Sequence, residues 1–404
     1  MGLSTTARSS TTRAACLLAL AGAFFSATTW AQPPAQLPIQ PPAQPPAPLP
    51  PGAIEATKPK PGAQPAAPEK VVREHNAGGY KLDAGPIVVS EVPGVTLKDT
   101  KRNKDVEVRI RYSRLPANVG PYPIVIVSHG AGGSSMAFND LCRLIASHGY
   151  IVLSPAHSDS IRLRKKNKDE LGIDAQKEIE KLADKVDPMD RLADVELILN
   201  SLDYLSDFVP DLKDAKGNPK MDRSRIAIMG HSAGAYTAQL AMGARVRKSP
   251  DSPDLASYAD PRIKAGILIS PQSTGSGVLT KDSWSELSLP MLVVTGAQES
   301  TPGAAGFSKE TPLTRREPFD LARPGDKFLI FIQGATHSSF AGQNAANALG
   351  EKPETDVGTI TDTLASGVIA FLDDYLKQDK AAKDYLAGDG IKTVSQGKAT
   401  LEHK

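Results

Sequence analysis

The chain has 404 residues, with 47 Lys plus Arg against 45 Asp plus Glu, a formal net charge of +2, and only two cysteines. No stripe of basic residues carries interleaved aromatics, so a nucleic-acid partner is not indicated. There is no CxxC or HExxH spacing, no carboxylate-rich loop, and no G-x-G-x-x-G following a strand, so neither a metal nor a dinucleotide cofactor is implied.

The first 31 residues read as a secretory signal. Arg8 and Arg13 form a basic start, and Ala14 to Phe25 an apolar stretch too short for a membrane span. Thr29-Trp30-Ala31 is a small-x-small cleavage site, which would make Gln32 the mature start and the location periplasmic or extracellular. Cleavage would leave Cys142 without an intramolecular disulfide partner, packed as a small hydrophobe. Residues 32–70 are dominated by Pro, Ala and Gln and read as an extended linker, either a spacer or a docking segment for a proline-binding partner.

From about Val71 the composition becomes globular, and residues 71–380 are expected to form one catalytic domain, followed by a tail over 381–404. Val106 to Tyr112 alternates as a half-exposed antiparallel strand. Thereafter strands beginning near Ile124, Ile151, Ile226, Ala265, Leu292 and Phe328 alternate with helices over Met136–Ser147, Arg191–Phe208, Ala233–Arg245 and Thr361–Leu376. That alternation predicts an α/β fold, a mostly parallel central sheet with helices on both faces and its chemistry at the C-terminal strand ends.

The strand Pro123 to Val127 leads into Ser128-His129-Gly130-Ala131-Gly132-Gly133-Ser134. Ala131, with Gly130 next, is expected to offer a backbone N–H to an oxyanion, and His129 to brace the turn. The strand ending at Pro155 leads into an insertion, 157–189, with Arg162, Arg164, Lys165, Lys166 and Lys168. His157, at the start of that insertion, either lines a substrate pocket or sits exposed. A second basic insertion, 300–326, carries Arg315, Arg316 and Arg323. Both insertions are either solvated faces or a cover that favours anionic substrates.

Gly230-His231-Ser232-Ala233-Gly234 is the most informative motif. It lies between the strand Arg225 to Met229 and a small-residue helix, the context of a nucleophile elbow. The elbow raises Ser232 at a helix N-terminus, where unpaired N–H groups, Ala233 among them, stabilise negative charge. A serine hydroxyl needs a base and a carboxylate that orients the base, in the chain order Ser, acid, His. Glu299 is the carboxylate in the loop after the strand Met291 to Thr295, with Asp282 and Asp320 as alternatives. His337 follows the strand Lys327 to Ile332, on the same rim as Ser232.

With these residues in hand, the chain resembles the α/β-hydrolase superfamily. More narrowly it resembles predicted dienelactone hydrolases and their platelet-activating-factor acetylhydrolase-like and polyester-hydrolase-like relatives. The likeness runs from Val127–Gly133 through Ser147-His148-Gly149-Tyr150, Ser154-Pro155-Ala156-His157 and Asp190-Arg191 with Asp194. It continues through Gly230–Gly234, Ser270-Pro271, Glu299 and His337, covering roughly residues 100–375. It implies an ester or lactone hydrolase that works through an acyl-enzyme. The chain departs from the pattern in three places: Glu299 stands where Asp is usual, Ser232 where dienelactone hydrolases carry Cys, and no Trp follows Ser270-Pro271. An amidase, peptidase or acyltransferase could use the same residues, and a non-catalytic binding protein could keep the same fold. The sequence does not indicate the oligomeric state.

Overall fold

In a computed structural model of the chain, the described residues are 74–86, 88–114, 120–166, 186–299 and 309–404. All fall within the unit Pro48–Lys404. The signal, the linker, Cys16, the middle of the first basic insertion and the start of the second lie outside them, as do the side chains of Arg164, Lys165 and Lys166.

The described residues form eleven strands: β1 (Val89–Asp99), β2 (Lys104–Ser113), β3 (Tyr122–Ser128), β4 (Ile151–Ala156), β5 (Met221–His231), β6 (Val246–Arg247), β7 (Leu255–Ala256), β8 (Ile263–Ile269), β9 (Met291–Gly296), β10 (Lys327–Ile332) and β11 (Ala399–His403). Nine of them form one sheet in the order β1-β2-β4-β3-β5-β8-β9-β10-β11, and β6 and β7 form a short ribbon. The six strands from β4 to β10 in that order are mutually parallel. β1 and β2 run antiparallel at one edge and β11 at the other.

Alternation along the central strands explains the layers. Ile124, Ile126, Ile226 and Ile228 point to one face, where they pack with Val195, Ile198, Leu205 and Leu240 from the helices Pro188–Asn200, Leu202–Phe208 and Ala233–Met242. Val125, Val127, Ala227 and Met229 point to the other, against Leu141 and Ile145 of helix Asn139–Ser147 and Ile360, Leu364, Val368 and Phe371 of helix Val357–Lys377. Strands buried on both faces read as continuous apolar runs. Cys142, fully buried on helix Asn139–Ser147, is part of this second core.

The expected α/β architecture is therefore present, with three differences. Val106 to Tyr112, expected half-exposed, is almost wholly buried, its Arg109 and Arg111 paired with Glu91. The predicted helix Arg191–Phe208 is two helices joined at Ser201, whose hydroxyl donates to the Leu197 carbonyl at 2.7 Å. Residues 381–404, expected as a tail, complete the fold. They carry helix Gly390–Val394, most of helix Lys380–Ala387, and strand β11, which pairs with β10 from Phe328↔His403 to Ile332↔Ala399. The polar alternation Thr400, Glu402 hides a strand in a segment that is otherwise rich in Lys and Gly.

The chain passes from β3 outward to β4, then returns to β5 on the other side of β3. This reversal is a topological switch point, the place where ligand sites lie in sheets of this kind, and it falls at the C-terminal ends of β3 and β5, where Ser128 lies opposite Gly230. The loops that follow these two strands are the predicted oxyanion turn and the predicted elbow.

Candidate active site

Ser232 sits between β5 and helix Ala233–Met242 with φ 53° and ψ −122°. A non-glycine residue rarely adopts positive φ, and such strain persists only where the surroundings enforce it. The enforcement is visible. A side chain at Gly230 would overlap the Gly234 carbonyl, and one at Gly234 would overlap the Ser128 carbonyl. Both glycines serve close approach, whereas the unusual backbone angle belongs to the serine itself. The Ser232 N–H donates to the Ile269 carbonyl at 3.0 Å, tying the turn to β8.

His337 follows β10. Its loop is held by Ser338, whose N–H and hydroxyl both donate to Glu351 at 2.7 and 3.1 Å, and by the Ser339 hydroxyl, which accepts from Thr336 N–H at 3.0 Å. The His231 ring packs on the His337 ring with centroids 4.7 Å apart, and His231 Nε2 donates to the His337 carbonyl at 2.9 Å. The neighbour of Ser232 thereby joins the elbow to the histidine loop. Burial drives the His231 pKa down to about 3, so this ring is a neutral brace.

Glu299 is completely buried. Its Oε1 accepts from Thr295 Oγ1 at 2.8 Å and from Gly296 N–H at 2.9 Å, while Oε2 faces His337 Nδ1 at 3.3 Å. Its loop is stitched to the histidine loop by Ala297 N–H to Ile332 O at 2.9 Å and Gln298 N–H to Ala335 O at 3.0 Å. Of the alternatives, Asp282 and Asp320 are exposed, and Asp320 pairs with Arg316.

Arg315, in the second basic insertion, is neither a solvated charge nor part of a substrate cover. Buried to within 1%, it pairs through Nε with Glu299 Oε2 at 3.0 Å, and its Nη1 donates to the carbonyls of Ser270 and Pro271 at 2.6 and 2.9 Å. Burial raises the Glu299 carboxyl above its usual range, with the Arg315 charge opposing it. Burial first, and then the same guanidinium, hold His337 well below the ordinary imidazole value.

The turn expected to offer the oxyanion donor lies against the elbow: a Cβ on Gly130 would come 3.5 Å from Ser232 Cβ and 3.1 Å from His231 Nδ1. His129 braces it as expected. Its Nε2 accepts from His157 N–H at 3.1 Å, which places the proton on Nδ1, and Nδ1 donates to Gly130 O at 2.7 Å. Arg191 donates to the carbonyls of His129 and Gly130 at 2.6 and 3.2 Å, and Asp159 accepts from Gly132 N–H at 3.0 Å.

His157, expected to line a substrate pocket or sit exposed, is turned into the interior. It is fully buried, its Nδ1 donating to Asp194 Oδ2 at 2.8 Å and its Nε2 accepting from Ser128 Oγ at 2.9 Å. Both nitrogens are taken inside the protein, so neither is offered to a ligand. Its place at a strand end suggested the pocket; the buried carboxylate, 37 residues away, draws it inward instead.

Among the described residues, no group of three or more His, Cys, Asp or Glu side chains is placed to hold a metal ion, and no helix is long and apolar enough to cross a membrane.

Residues 105–396 match the profile of the family described as platelet-activating factor acetylhydrolase, isoform II. The chain belongs to this family. It is 22% identical over 288 residues to a platelet-activating factor acetylhydrolase of Cavia porcellus, covering 64% of this chain and 58% of that protein. It is 24% identical over 224 residues to the cutinase est2 of Thermobifida alba, covering 55% of each. The chain thus spans between half and three-fifths of the length of these relatives. Family membership and the parallel sheet together make it an α/β-hydrolase.

Proposed function

We propose that this chain is an exported serine hydrolase that cleaves carboxylic esters or lactones. Ser232 attacks the carbonyl carbon while His337 Nε2 takes the hydroxyl proton, Nδ1 being directed at Glu299. The N–H groups of Ala131 and Ala233 hold the oxyanion of the tetrahedral intermediate. His337 returns the proton to the leaving alcohol, and water, activated by the same imidazole, releases the acid from the acyl-enzyme.

The observation that carries this reading is the contact between His337 Nδ1 and the buried Glu299, on a loop bound through His231 to the strained Ser232. A binding protein that merely kept the fold would have no use for a positive-φ serine or for a buried carboxylate aimed at a histidine. The names of the two relatives, an acetylhydrolase and a cutinase, support an ester as the substrate class. Export rests on the first 31 residues. The direct test is covalent: a fluorophosphonate should add to wild-type protein on Ser232, seen by peptide mass spectrometry, and should not add to Ser232→Ala. Label on another residue, or none on folded protein, would refute the assignment.

A further inference from the structure

The oxyanion turn is gripped from inside the protein by two residues distant from Ser232 in the sequence. Arg191, on helix Pro188–Asn200, is 1% exposed, and Asp159, just after β4, is 3% exposed. The helix is started by Asp187, whose side chain accepts from Met189 N–H and Asp190 N–H at 2.9 and 3.1 Å, which fixes where Arg191 leaves it. Asp159 locks the guanidinium fork at both ends, Nε to Oδ1 at 3.0 Å and Nη2 to Oδ2 at 2.7 Å. The remaining donors of the fork reach His129 O and Gly130 O, and Asp159 Oδ2 takes the Gly132 N–H.

The consequence follows from the planarity of one peptide bond. Gly130 C=O and Ala131 N–H belong to the same trans peptide, so they point in opposite directions. Three donors converge on Gly130 O: Arg191 Nη2 at 3.2 Å, His129 Nδ1 at 2.7 Å and Gly133 N–H at 3.0 Å. They hold that oxygen toward the interior. The Ala131 N–H must then point the other way, outward from the clamp, on a turn whose Gly130 abuts Ser232. A cationic donor on the carbonyl also draws electron density from the peptide, which makes the N–H on its far side a stronger donor.

We infer that Arg191, locked by Asp159, is a positioning residue that aims and strengthens the Ala131 N–H as an oxyanion donor. This rests on the reading of Ser232 as the nucleophile. Lysine cannot replace the fork, because one ammonium cannot span two carbonyls and a bidentate carboxylate.

The test compares a short-chain p-nitrophenyl ester with its thiono counterpart, in which sulfur replaces the carbonyl oxygen. Sulfur is a weak hydrogen-bond acceptor and gains little from the oxyanion donors, so the ratio of the two rates reports on the donors rather than on the scaffold. Arg191→Met should lower kcat for the ester by about 10²–10³, the cost of one lost oxyanion donor, with KM little changed. The ester-to-thionoester ratio should fall with it, and Arg191→Lys should not restore it. Should Arg191→Met fail to fold, Asp159→Asn, which keeps the shape of the side chain but unlocks the fork, carries the same comparison and should lower the ratio in the same direction. An unchanged ratio in a folded variant, whether both rates hold or both fall together, would overturn the inference. Ser232→Ala, run alongside, separates the two claims. If it keeps the wild-type rate, the nucleophile reading fails; if it is inactive while the ratio holds, only the role of Arg191 fails.

Discussion

Arg315 Nε lies 3.0 Å from Glu299 Oε2, the same oxygen that faces His337 Nδ1 at 3.3 Å. The carboxylate proposed to orient the catalytic base is thus shared with a buried cation. The Arg315 charge opposes the rise that burial gives the Glu299 carboxyl, and burial together with the same charge lowers the basicity of His337.

The first prediction concerns pH. In the proposed mechanism His337 must be neutral to take the Ser232 proton, and burial and the Arg315 charge hold its pKa well below the usual 6.5. The acid limb of kcat/KM should therefore fall below pH 6.5, with activity kept as the pH drops through the ordinary histidine range. Arg315→Gln removes the positive charge and should move that limb upward. Profiles of the two proteins that superimpose would contradict the account. The variant should also be destabilised by about 3–5 kcal/mol, since it leaves Glu299 buried without its cation; denaturant titration reads this directly.

The length of Glu299 is also testable. Glu299→Gln keeps the shape but removes the charge that supports the imidazolium, and should cost about 10⁴ in kcat, as seen for triad carboxylates. Glu299→Asp keeps the charge but is one methylene shorter, and a misplacement on the order of 1 Å should cost about 10². Asp outperforming Glu would show that the loop, not the side chain, sets the reach.

Gly234 should tolerate no side chain, because a Cβ there overlaps the Ser128 carbonyl at the entry to the proposed oxyanion turn. Gly234→Ala should destabilise by about 1–3 kcal/mol or more and lower activity, as seen by thermal unfolding and turnover. Gly217, which has φ +84° but open space around it, is the control that separates backbone strain from contact.

The C-terminal strand makes a further prediction. β11 covers the β10 edge, and Glu402 pairs with Arg316 at 2.7 Å, beside the loop that delivers Arg315. Truncation after Lys398 should expose an apolar edge strand, lower the unfolding midpoint and promote aggregation. An unchanged midpoint in a soluble truncated protein would show that β11 is dispensable.

What could be read from the sequence was short-range. The elbow was legible because five adjacent residues, a strand before them and a helix after them, are all local signals. β10 was legible because Lys327 to Ile332 is bounded by turn residues on both sides, and Glu299 could be named as the candidate acid because no other carboxylate follows β9 at once. Arg315, Asp159 and Arg191 resisted the same reading. Each finds its partners 16 to 62 residues away, and a buried ion pair leaves no periodic trace in either segment. His157 misled for the same reason: the Asp194 that draws it into the core lies on a different element. β11 was hidden because an edge strand carries only half of the apolar pattern.

The most direct test of the whole account is hydrolysis of a short-chain p-nitrophenyl ester by the purified protein beside Ser232→Ala. The account predicts turnover by the wild type and a loss on the order of a million-fold in the folded variant. Equal rates in the two proteins would contradict it, because the nucleophile would then lie elsewhere.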